Sequence, residues 1–378
     1  MLCHAALGAW SGGRYLHFGE AIDEGRLAAL LRPDERLRTV LTADVYGQGE
    51  GDRVVGRALE GIPRDEFSLV GAIGHDFYEG EREGPRGYPR FTDPRLRGPG
   101  GYRDYVRTAV QRSLERCGVE RFDVLLLHNP DRRGFESPEV WEALRAVRDD
   151  GLAEALGVAP GPANGFVLDL IGCLERYGDL IDWAMVILGP LEPWPGELVL
   201  DACAERDVSV ATRVVDYGGL FWDDVLPGHV LGRADHRSFR PEGWIERGRE
   251  KLERMRPLAE RHGLTPMQLA CQWNLAHAPV RCVVPTLIQE DGPHARTIES
   301  KRAELVALPA EVALSGAEVD ELRAIGDNTG SMTLKGASPE HEGEERPDRW
   351  DLDAGHAELA ARHGIDPATD LRKLTARL

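Results

Sequence analysis

Three side chains sit where chemistry can start. Tyr46 follows the apolar run RTVLTA (38–43), in the glycine-flanked stretch LTADVYGQGE (41–50). His128 closes the run FDVLLLHNP (122–130), with Asn129 directly after it. Arg213 lies inside VSVATRVVD (208–216), three residues before Asp216. A phenol donates a hydrogen bond to an oxygen, or a proton when a neighbouring cation lowers its pKa. An imidazole at the rim of an apolar strand is partly desolvated, and histidine is the side chain that ordinarily titrates near neutrality. An arginine among valines is costly unless paired. It either pairs with Asp216 or clamps a carboxylate or phosphate of a ligand. Each residue also has a plainer reading. Tyr46 and His128 can serve packing, and Asp44 can cap a turn. No metal site is expected, because His4, His75, Asp76 and His128 fall on different segments with no ligand spacing.

These residues need a scaffold that brings strand ends together. Continuous apolar runs at 38–43, 67–74, 122–130, 153–160, 182–190, 208–216 and 280–286 alternate with helical patterns at 51–62, 102–118, 137–152, 244–263 and 265–278. Strands that are apolar on both faces and alternate with helices belong to a covered parallel sheet. About eight such units over roughly 290 residues predict an α/β fold, a closed (β/α)8 barrel. No GxGxxG follows the early strands, which argues against a Rossmann sheet. Two connections, 75–100 and 216–244, are too long for ordinary βα loops. Both follow strands, so both belong on the C-terminal face, where barrels build their sites. The expected organisation is a barrel over 1–327 and a C-terminal extension over 328–378. Trp350, Met332 and Leu334 favour an extension folded over the barrel mouth, bringing Lys335 with it.

Composition narrows the partners. A net charge of −18 argues against nucleic acid or an anionic membrane. The six cysteines, Cys3, Cys117, Cys173, Cys203, Cys271 and Cys282, show no CxxC spacing and fit reduced thiols. No run reaches the roughly 18 apolar residues of a membrane helix. A cytoplasmic protein acting on a small molecule is expected. Lysine occurs four times, at Lys251, Lys301, Lys335 and Lys373, and every other basic side chain except histidine is arginine.

The stretches TADVYGQGEGDRVVGRAL, FDVLLLHNPD, ALGV, VSVATRVVDYGGLF and LTPMQLACQWNLAHAPVRCVVP resemble, in order, the aldo-keto reductase family. The resemblance covers about residues 3–327. It implies a TIM barrel and NADPH-dependent carbonyl reduction by hydride transfer, with a tyrosine as proton donor. The family uses an Asp, a Tyr, a Lys and a His. The tyrosine falls on Tyr46 and the histidine on His128, but the Asp position holds Leu41 and the Lys position Ala72. The absence of both is consistent, since either alone would be an unpaired buried charge. The Ser-Asn pair that holds the nicotinamide amide falls on Ala159 and Pro160, its Gln near Met185, and its stacking aromatic on Arg213. The loop that grips the adenosine phosphate falls on 284–302, leaving Arg296, Lys301 and Arg302 to meet a phosphate.

Three readings follow. One is an oxidoreductase of this family with a rebuilt acid/base group, NADPH being doubtful. The second is a non-redox lyase, isomerase or hydrolase on the same barrel, acting on an anionic or sugar-like substrate. The third is a binding protein without catalysis. In the first two, Tyr46 and His128 are the candidate catalytic residues. Arg213, Asp44, Asn129 and Asp216 are the candidate substrate contacts. Tyr46, on an apolar floor, is expected to keep a high pKa, and His128 to titrate near neutrality as the better proton shuttle.

Overall fold

The computed structural model describes residues 2–83, 87–161, 166–232, 234–240, 242–329 and 352–371. Eight strands, β1 Ala6–Gly8, β2 Thr39–Leu41, β3 Ser68–Ile73, β4 Phe122–His128, β5 Ala153–Ala159, β6 Trp183–Ile187, β7 Ser209–Arg213 and β8 Val280–Val284, pair in parallel in sequential order. A parallel bridge between Ala5 and Val283 closes the sheet into the expected (β/α)8 barrel. The three-residue β1 escapes a reading based on apolar runs because it is shorter than an ordinary strand.

Side-chain alternation builds two apolar layers. Val124 and Leu126 of β4 point to the axis, together with Leu41, Val70, Ala72, Ala159, Met185, Ala211 and Val284. Phe122, Leu125 and Leu127 of the same strand point outward into the helix-facing core. The two-residue period explains why FDVLLLH is apolar throughout. It also fixes which later residues face inward, placing His128 two residues after Leu126 and Arg213 two after Ala211.

The helices lie as the pattern predicts, at Glu50–Leu59, Tyr102–Cys117, Pro138–Asp149, Trp244–Arg261 and Pro266–Leu275. The last begins at a capping box in which Thr265 accepts from the Gln268 amide and the Gln268 side chain accepts from the Thr265 amide. All six cysteines are free thiols. Among the described residues no helix is long and apolar enough to cross a membrane.

The described residues 352–371 of the C-terminal extension lie on the flank of the barrel. Helix Ala354–Arg362 packs on helix Val167–Tyr177, where Gly172 gives Leu359 room to approach. His356 reaches Asp169 at 3.4 Å, and the Trp194 indole donates to the Asp370 carbonyl at 2.6 Å. None of its described residues lines the cavity at the barrel mouth. Lys335, Trp350, Met332 and Leu334 lie outside the described residues.

Candidate active site

The C-terminal end of the barrel opens into a cavity of about 1240 Å³. Both long connections wall it, through His75, Tyr88 and Arg90 on one side and Gly218, Arg237 and Arg240 on the other. Its floor is apolar and includes Leu41, Val70, Ala72, Leu126 and Met185.

Tyr46 enters from a tight turn after β2. Its amide donates to the Ala43 carbonyl at 2.9 Å, and Gly47 and Gln48 follow at φ of 58° and 56°. A side chain at Gly47 would start 2.7 Å from the Tyr15 ring, so glycine is required both for φ and for space. The Tyr46 ring meets His128 edge-on, with centroids 6.0 Å apart and planes at 80°, and meets Trp10 at 6.2 Å. Burial pushes the Tyr46 hydroxyl up to about 12, and the charge of Arg213 only partly opposes this. With no lysine beside it among the described residues, the group is a neutral donor across ordinary pH.

His128 does not titrate near neutrality as expected. Burial first, then the guanidinium charges of Arg90 and Arg213, push it down to about 3. It is therefore neutral at physiological pH, with one ring nitrogen a donor and the other an acceptor. Its Nδ1 is buried and meets no partner among the described residues. His75 packs against it with centroids 5.3 Å apart and is likewise held well below its ordinary value by burial and Arg90.

The chain after each inward strand end is forced. Asn129, following His128, sits at φ 47°, and Val214, following Arg213, at φ 62°. Left-handed backbone at a β-branched residue is strained, and such outliers cluster at functional sites. Asn129 lines the cavity, and its side-chain nitrogen lies 3.2 Å from Nε2 of His75. Arg90, which carried no signal in the sequence beyond its place in a long loop, donates to the Asn129 carbonyl and lies 2.8 Å from Nδ1 of His75. It ties the 75–100 connection to the end of β4.

Arg213 donates to the Pro160 carbonyl at 2.9 Å and forms no ion pair among the described residues. Asp216 is not its partner. That carboxylate is spent on backbone, accepting from the Thr286 amide at 2.8 Å and the Gly219 amide at 3.0 Å. Asp44, unlike Asp216, does not line the cavity. Alternation from the inward Leu41 and Ala43 turns it outward beside Thr42, where it is fully buried. Its carboxyl meets the Val45 amide, and burial, then Asp52, raises its pKa well above the ordinary range.

The three expected phosphate cations are all committed elsewhere. Lys301 is fully buried, 2.6 Å from Asp224 and 2.6 Å from the Ile288 carbonyl. Arg296 bonds Glu304 at 2.6 Å and the Trp222 carbonyl at 3.0 Å. Arg302 bonds Asp34 at 2.9 Å and the carbonyls of Leu30 and Arg32. None lines the cavity. Their partners are 8 to 272 residues distant in sequence, so the residue types alone suggested cations free for a ligand. With alanine, proline and methionine at the amide-binding positions and Arg213 at the stacking position, these residues do not form the NADPH grip that the resemblance implies. Among the described residues no cluster of three or more metal-ligating side chains occurs.

Eight arginines and four carboxylates line the cavity, in a chain of net charge −18. Some are paired, as Arg95 is with Glu83 and Asp93.

A sequence model described as the aldo/keto reductase family matches residues 7–295. A D-threo-aldose 1-dehydrogenase from Pseudomonas sp is 29% identical over 262 residues, 66% of this chain and 75% of that protein. Among solved structures, a glycerol dehydrogenase from Gluconobacter oxydans superposes with a TM-score of 0.65 at 22% identity, covering 93% of this chain and 94% of the other. An aldo/keto reductase from Klebsiella pneumoniae, in complex with NADP and acetate, gives 0.58 at 20% identity over 88% and 95% of the two chains.

Proposed function

The chain belongs to the aldo/keto reductase family of oxidoreductases, and from that premise we propose that its cavity binds a small anionic, sugar-like carbonyl compound and polarises its carbon–oxygen bond. One observation carries this reading. Tyr46, His128 and Arg213 line the same cavity, and the guanidinium there, on which the buried Glu192 acts through its charge, forms no ion pair among the described residues.

In this reading the substrate's carboxylate or phosphate lies on Arg213. The carbonyl oxygen lies against the Tyr46 hydroxyl and the N–H of neutral His128. Both donate to it and polarise the carbon–oxygen bond. As negative charge grows on the oxygen, these donors and the charge of Arg213 stabilise it, in a site where the apolar floor excludes water. Tyr46 keeps its proton, because its pKa of about 12 lies far above working pH. In the family NADPH supplies hydride, and the residues present here do not fit it.

The test is a turnover screen of carboxylated and phosphorylated sugars and aldehydes, with and without NADPH. Turnover of anionic compounds that His128→Asn abolishes supports the proposal. Turnover confined to uncharged aldehydes, or unaffected by His128→Asn, contradicts it.

A further inference from the structure

The connections after β1, β7 and β8 are fastened to one another over the region where the resemblance places the dinucleotide. The Trp222 indole donates to the Thr286 carbonyl at 2.9 Å, and the Thr286 amide donates to Asp216 at 2.8 Å. Lys301 and Asp224, both fully buried, pair at 2.6 Å across the same seam. The Arg296 amide donates to Asp224 at 3.1 Å. Arg237 joins Asp235 and Glu290 in a second buried ion cluster. From the β1 side, the Gly19 amide donates to Asp235 at 2.9 Å, and the His17 carbonyl accepts from the His236 amide at 2.8 Å. Leu287 and Ile288 between these fastenings are fully buried.

We infer that this protein fills the family's dinucleotide crevice with its own side chains, so that the cavity takes up its anionic ligand with no dinucleotide bound there. A plain surface loop would leave its cations to solvent. Here the lysine nearest the expected adenosine phosphate neutralises a buried aspartate instead. Seating a phosphate on Lys301 means separating that pair and leaving Asp224 alone in a buried site. Breaking a buried pair in this way weakens binding by about 10²- to 10³-fold relative to a groove with free cations. The second ion cluster and the Trp222–Thr286 bond oppose opening at the other end of the seam. The opposite wall of the cavity includes Arg82 and Arg95, which are exposed.

This inference extends the proposed function but stands apart from it, because the seam and Arg213 are probed separately. The experiment uses the full chain. NADPH is titrated calorimetrically to about 1 mM, and hydrogen exchange of the segment 284–290 is followed with and without it. The expected result is no saturable binding, with slow exchange in the segment that NADPH leaves unchanged. A dissociation constant of about 10 μM or tighter, or exchange in the segment altered by NADPH, would overturn the inference. Binding of a sugar acid measured on the same sample reports on the cavity alone. Its loss would count against the proposed substrate class, leaving the closed crevice untouched.

Discussion

Tyr46 and His128 face each other edge to plane across the barrel mouth, their ring centroids 6.0 Å apart, and both are neutral. Two neutral donors acting on one oxygen are worth similar amounts, because neither is a charged acid. Tyr46→Phe and His128→Asn are each expected to lower kcat/KM by about 10²- to 10³-fold, the usual loss of one oxyanion donor. Initial rates on the best substrate from the screen measure both. A Tyr46→Phe variant within about threefold of wild type would remove Tyr46 from the site.

Leu41 and Ala72 occupy the floor where the family carries a charged pair, at 3% and 8% exposure. Leu41→Asp alone buries an unpaired carboxylate and is expected to cost about 3–5 kcal/mol in urea unfolding. Ala72→Lys costs less, because the side chain can extend into the cavity. The double variant should be more stable than the sum of the single effects, by about 1–3 kcal/mol for neighbours in contact. It should also bring the Tyr46 phenol below about 12, read as phenolate absorbance against pH. Strict additivity would mean that the two positions do not meet.

Acid sensitivity should come from the buried imidazoles. His128 is held at about 3 and His75 well below its ordinary value, so the unfolded chain binds more protons than the folded one below about 6.5. Stability from these groups is complete above that pH and falls as pH drops toward 3. The thermal midpoint should decline between pH 6.5 and 4, and His128→Asn should flatten part of that decline. A steeper decline in the variant would show that His128 is charged in the folded state.

Much of the fold was legible because β4 and β7 are apolar on both faces, a pattern that only a covered parallel sheet uses. The inward alternation of those strands also located His128 and Arg213. Other parts depended on partners far away in sequence. Lys301 reads as a phosphate cation until Asp224 is found beside it. Asp216 reads as the partner of Arg213 until its oxygens are found on the Thr286 and Gly219 amides. Asp44 is misplaced by treating the turn after β2 as wholly open to the cavity, when alternation continues past Leu41. The depressed titration of His128 comes first from burial, then from Arg90, which folds in from a connection with no regular pattern.

The most direct test concerns Arg213. Calorimetric titration of a sugar acid and of the uncharged polyol of the same chain length should be compared in wild type and in Arg213→Gln. A charge-assisted contact is worth about 1.5–3 kcal/mol, or roughly ten- to a hundredfold in affinity. The acid is therefore predicted to bind wild type at least about tenfold more tightly than the polyol, and to lose that preference in Arg213→Gln. Equal binding of the two compounds by wild type, or a preference that survives in Arg213→Gln, would contradict the account.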